Sequence, residues 1–266
     1  MNQTKAIQTL GIIVVLLTLT VLSCSGASGI PNFFATDTPT PTNTFTPSPT
    51  MTPSPTATAT QTPSPTSTPL PTGINVEKQS DGTTLFSDYD NKYQLTLSAD
   101  WIIIPFKKDA FTAAVKDLAS ENPQLAAAAQ AFQNLDPETF RLVAINRNPK
   151  YLKNTFASNL NITAFADNLL ANMPLEFVTG ALEEQFKKNG AEVLTNGVNV
   201  VENSHGVDVE YIDLEQTVKG SKIAQRALTF QANQKLIIIA FTTLPPFSKD
   251  VFAEANSIGG TIELLK

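Results

Sequence analysis

An α+β fold is predicted: an antiparallel β-sheet sandwiched between helices, carried behind a disordered Thr/Pro linker. Three observations predict it. The run LIIIAF at 236–241 is apolar at every position, so a strand there must be covered on both faces. The β-patterned runs on either side are joined by connections too short for a crossover, so neighbouring strands must be antiparallel. Between the strands lie stretches of helical period, the clearest at 174–188.

The elements follow in order. Residues 1–23 carry one charge, Lys5, before an unbroken apolar run at 12–22. A bilayer span needs roughly 20 apolar residues and a secretory core about 7–15, so the run reads as an export signal. It ends in VLSC, which resembles the bacterial lipobox, whose cysteine is diacylated and becomes the mature N-terminus. On that reading Cys24 is the lipid attachment site and the chain sits lipid-anchored on the extracytoplasmic side of the cell membrane. The alternatives are an ordinary cleaved signal or an uncleaved anchor with Cys24 incidental. Cys24 is the only cysteine, so an intramolecular disulfide is excluded and the fold must stand on its core.

Residues 24–72 read as linker. From 36 to 72 there are 15 Thr and 10 Pro among 37 residues, with Asp37 the only charge. Such a stretch cannot bury enough apolar surface to offset the entropy of ordering, and its prolines oppose both helix and sheet. It reads as an extended spacer, and its Thr/Ser density resembles glycosylated stalks.

Residues 73–266 are long enough for one domain with a full core. YQLTLS (93–98) alternates as a strand, and WIIIPF is a strand stopped at Pro105. Residues 106–138 read as a helical insertion. Phe111, Val115 and Leu118 share one face, and after Pro123 the positions Leu125, Ala128, Phe132 and Leu135 continue the spacing. FRLVAINR and NITAFAD are strands. In the 174–188 helix, Leu175, Val178, Leu182 and Phe186 form the buried stripe, Glu183/Lys187 and Glu184/Lys188 lie outside, and Asn189-Gly190 is the stop. Three further strands are expected in AEVLTNGVNVVE, GVDVEYIDLEQTV and SKIAQRALTFQA. A tight turn, ANQK, then leads into LIIIAFTT. Ser248 is the expected N-cap of a last helix, with Phe247 and Phe252 as a staple, and TIELL is a final strand.

One register is specific enough to state. A connection over 218–221 containing Gly220 sets Asp213 opposite Arg226, Tyr211 opposite Leu228 and Val209 opposite Phe230.

The segments DYDNKYQLTLSADW and ALTFQANQKLIIIAFTTLPPFSKDVFAEANSIGGTIEL together resemble the opening and close of the PsbP-like superfamily, which also holds bacterial lipoproteins of the LpqN kind. The resemblance spans most of 83–265. The proline usually found before the tryptophan is absent here, where Ala99-Asp100-Trp101 stands. The resemblance implies a fold and a tendency toward binding roles, and carries over no catalytic residue.

No GxSxG, GxGxxG, P-loop or HExxH motif is present, so no catalytic, cofactor-binding or metal-binding residue is assigned, and no cofactor is expected. The single histidine, His205, lies in a turn. SDYDNKY departs from a calcium loop at Lys92 and lacks its glycine, and reads as a plain turn. Asp208, Glu210, Asp213 and Glu215 read as the solvated side of a strand, partly neutralised by Lys222 and Arg226, with a cation or basic-partner site as the alternative. Trp101 reads as core. The net charge of −6 without a basic cluster excludes nucleic acid as partner. The expectation is a non-enzymatic binding or assembly module holding a protein or small ligand near the membrane. The alternative is a carboxylate-dependent hydrolase of envelope or extracellular polymers.

Overall fold

The doubly apolar run lies in β12 (Lys235–Thr243), the central strand of a seven-stranded antiparallel sheet. The computed structural model describes residues 71–130, 132–133, 135, 139–153, 156–218 and 220–266. The export signal, Cys24 and the linker up to residue 70 lie outside the described residues, as does part of the expected helical insertion.

The sheet runs in the order β4 (Trp101–Ile103), β5 (Phe140–Asn146), β8 (Asn159–Phe165), β12, β11 (Ser221–Ala232), β10 (Glu210–Val218) and β9 (Glu192–Val193). Alternation divides β12 cleanly. Leu236, Ile238 and Ala240 pack under α3 (Asn168–Asn172) and α4 (Leu175–Lys188), joined by Leu170, Val178, Leu182 and Phe186. Ile237, Ile239 and Phe241 pack on the opposite face with α5 (Ser248–Gly259) through Val251, Ala255 and Ile258. A third cluster lies where α1 (Lys108–Glu121) and α2 (Pro123–Gln130) cover β5, with Phe111, Leu118 and Leu125 against Val143 and Ile145.

The helices above and below the sheet are as expected, but the α5 face has a second cover. β1 (Ile74–Lys78), β2 (Thr84–Asp88), β3 (Tyr93–Leu97) and β13 (Glu263–Leu264) form a separate four-stranded antiparallel sheet. Phe86, Tyr93, Leu95 and Leu97 point from it into the α5-side core. YQLTLS is therefore a strand, but of this second sheet. A two-stranded ribbon, β6 (Leu152–Lys153) with β7 (Phe156–Ala157), completes the elements described.

The β10–β11 register is the predicted one: Asp213 faces Arg226 and Tyr211 faces Leu228. Pairing stops at Glu210–Thr229, one residue short of Val209. Gly220 closes the turn at φ +80°, and the ANQK turn places Asn233 and Gln234 at φ +45° and +59°, a left-handed pair that matches hairpin twist.

Two expectations are corrected. AEVLTNGVNVVE is not a strand throughout; only Glu192–Val193 and an isolated bridge at Val200 pair with β10. Its alternate valines, Val198 and Val200, face solvent, so the period that signals a half-buried strand here marks a sheet margin. Ser248 is not the N-cap of α5. A 3₁₀ turn at Pro245–Phe247 precedes the helix, the Ser248 hydroxyl donates back to the Pro245 carbonyl, and Phe247 packs edge-on against Tyr151, with ring centroids 5.8 Å apart.

Candidate functional site

A groove of about 760 Å³ opens between the first turn of α4, the segment 200–210, Gln231 and Leu264. Each wall is fixed by a polar staple. Gln231 Nε2 donates to the carbonyls of Leu170 and Met173, both at 2.8 Å, which ties the α3–α4 connection to β11 and sets where α4 begins. Asn203 Nδ2 donates to the carbonyls of Gly259 and Ile262, both at 2.9 Å, and its Oδ1 accepts from the amides of His205 and Val207. That one side chain anchors the 203–207 loop to the end of α5.

Glu210 lines the groove from the first position of β10. Its parity in the strand is that of Ile212 and Leu214, so its side chain enters the α4-side face rather than solvent. It keeps 7% of its surface exposed. Oε2 is shut off from solvent and has no hydrogen-bond partner among the described residues. Burial pushes the carboxyl above its ordinary value. The Thr179 hydroxyl opposes the shift, and the charges of Glu176 and Asp208 reinforce it. Leu175, Val201 and Val207 supply apolar wall, and among the described residues no Lys, Arg or His lines the groove. An acidic floor among apolar walls complements a cation on an apolar stem.

The acidic stretch is thus not the solvated side of a strand. Asp213 turns to the opposite face from Glu210, under α5, where Arg226 grips it with Nε at 2.7 Å and Nη2 at 2.6 Å. The same guanidinium donates to the Phe252 carbonyl at 3.1 Å and to Asn256 Oδ1 at 2.6 Å, and lies 4.0 Å from the Tyr211 ring centroid. Arg226 is an internal clamp between sheet and helix. Glu215 pairs with Lys222, and Asp208 stays exposed at the groove rim.

SDYDNKY forms the expected turn, at 89–92 directly before β3, and a buried ion pair pins it. Asp88 is fully buried and accepts from Arg141 Nε (2.8 Å) and Nη2 (2.9 Å), and from the backbone and side chain of Asn91. Arg141 also reaches Asp90 at 2.9 Å, and its hydrogen bonds to Asp88 raise its already high pKa further. A guanidinium sits where a calcium ion would have to. Trp101 is core, as expected, with its indole donating to Glu254 Oε1 at 2.8 Å. His205 is exposed in its turn. Among the described residues, no three His, Cys, Asp or Glu side chains gather as a metal site, and no helix is long and apolar enough to cross a membrane.

No family model matches the sequence, and neither does any curated protein. Solved structures match weakly in fold. Cyanobacterial PsbP (CyanoP) from Synechocystis sp. PCC 6803 is 12% identical at a TM-score of 0.44, over 70% of this chain and 94% of that one. LpqN, described as involved in cell envelope biogenesis of Mycobacterium tuberculosis, is 10% identical at 0.39, over 65% and 83%. The immunity protein TplEi of Pseudomonas aeruginosa is 12% identical at 0.34, over 73% and 98%.

Proposed function

We propose that the protein is a lipid-anchored, extracytoplasmic binding module that holds a partner close to the membrane. The groove carries this reading. Its acidic side chains are set among leucine and valine walls, the composition of a recognition surface in which a few polar groups orient a guest. The lone Cys24 after an apolar run of secretory length, and the Thr/Pro stretch behind it, supply the anchor and the reach. Among the described residues no serine, threonine, cysteine, lysine or histidine lines the groove, and its leucine and valine walls support recognition without turnover best.

The test is chemical cross-linking of the full chain in intact cells, followed by membrane isolation and identification of what is retained. Reproducible retention of one envelope partner, lost when Glu210 and Val207 are replaced together, is the expected result. Release of sugar from envelope or extracellular polymers by the purified chain, abolished by Glu210→Gln, would instead establish the carboxylate hydrolase.

A further inference from the structure

We infer that the groove receives an extended, basic segment of a partner polypeptide, which adds to the sheet margin at Val200 and pairs one lysine with Glu210. The inference rests on the binding-module reading and names the kind of partner.

The carboxylate comes first. Glu210 is more than nine-tenths buried, yet its Oε2 has no hydrogen-bond partner among the described residues. A buried acceptor left unsatisfied is unfavourable, and native interiors rarely keep one without a reason. Glu176 and Asp208 line the same groove, and among the described residues no cation does. An anionic guest would add to the repulsion, and an apolar one would leave it unrelieved. An ammonium would relieve it, while the four-carbon lysine stem lies along Leu175 and Val207.

The second observation is independent of charge. Val200 bridges Glu210 in antiparallel fashion. The flanking bonds are Tyr211 N–H to the Asn199 carbonyl and Val201 N–H to the Val209 carbonyl, each 2.8 Å. In that arrangement the N–H and C=O of Val200 point away from β10, outward from the sheet. No hydrogen bond engages them among the described residues. The Val200 side chain, 68% exposed, projects on the Glu210 face, and Leu264 at the rim is 45% exposed. An open main-chain edge beside a charged pocket suits strand addition: backbone bonds give affinity and one pocketed side chain gives specificity. A free amine could use the pocket but not the edge, which favours a polypeptide.

The experiment uses the purified full chain and a capped, alternating valine–lysine heptapeptide, with binding followed by calorimetry and amide chemical shifts. The lysine peptide is expected to bind and to shift residues 199–201 and 210. Three changes should each weaken it at least tenfold: norleucine for lysine, N-methylation of alternate peptide amides, and Glu210→Gln in the protein. The Glu210→Gln change should leave the norleucine peptide unaffected. Two of these arms alter only the peptide, so the outcome does not depend on how the variant folds. Equal binding of the norleucine peptide, or no effect of Glu210→Gln, overturns the charge pairing. Hexylamine competing as well as the peptide, or indifference to N-methylation, overturns strand addition. If the Glu210→Gln chain still captures its partner in cells, the groove assignment falls and the binding-module reading stands. If neither peptide nor partner binds, both fall.

Discussion

Burial of the Glu210 carboxyl raises its pKa, and the sign of the consequence follows. The folded state favours the protonated acid, so there is no penalty below the ordinary value of 4.5, and it grows as pH rises through the raised one. Glu210→Gln should therefore melt at a higher temperature than the natural protein at pH 7, with the difference closing as pH falls below 4.5. Thermal melts of both proteins across pH check it, and a gain that persists unchanged at pH 4 would assign the effect to packing. Asp213 behaves oppositely because Arg226 answers it. Asp213→Ala leaves that guanidinium inside the protein without its partner, a loss of roughly 3–5 kcal/mol. Lys150→Ala, at the exposed pair with Asp250, should leave urea unfolding unchanged, since water screens both groups. A large loss from Lys150→Ala would contradict this contrast.

Helix α5 lies close against the sheet at its last turn. A Cβ on Gly259 would stand 3.0 Å from Leu228 Cδ1 and 3.2 Å from Val201 Cγ1. Overpacking in Gly259→Ala costs roughly 1–3 kcal/mol and is offset by the roughly 1 kcal/mol that alanine gains over glycine in a helix, and Leu228→Val added to it should recover part of any net loss. Additive losses in equilibrium unfolding would show that the methyl group strains something else. Leu228 itself was legible in the sequence: its alternation with Arg226 and Phe230 and the Gly220 turn set the β10–β11 register. Periodicity reported the buried stripe of α4 and both faces of β12 for the same reason, that their partners are apolar and continuous. The second sheet was not legible. All five residues of β1 are exposed, so the short alternation of Ile74 and Val76 with Asn75 and Glu77 marks no buried face, and the charge of the buried Asp88 is answered by Arg141, 53 positions away. The groove was equally hidden, since its walls come from residues near 175, 205, 231 and 264. One sign was present: Glu210 shares strand parity with Ile212 and Leu214, an acid where the pattern calls for core.

At the scale of the whole chain, anchor, spacer and groove make separable predictions. Cys24→Ala should abolish incorporation of labelled fatty acid and move the protein out of the membrane fraction, while continued labelling would reject the acylation site. The spacer is tested by length. On the proposed extended-spacer reading, polyproline-rich chain at about 3.1 Å per residue would give residues 36–72 a reach of roughly 110 Å, and deleting 36–53 would remove about half of that. The deletion touches none of the residues that build the core or the groove, so the melting temperature of the purified protein and its affinity for the lysine peptide should be unchanged. Partner capture in cells should fall, because the distance over which the tethered groove can search shrinks with the linker. Restoring the length with an unrelated Pro/Thr sequence should recover capture, since reach and not sequence is what the stretch supplies. Capture that survives the deletion, or fails to return with the substitute, would show that these residues contact the partner or do nothing at all.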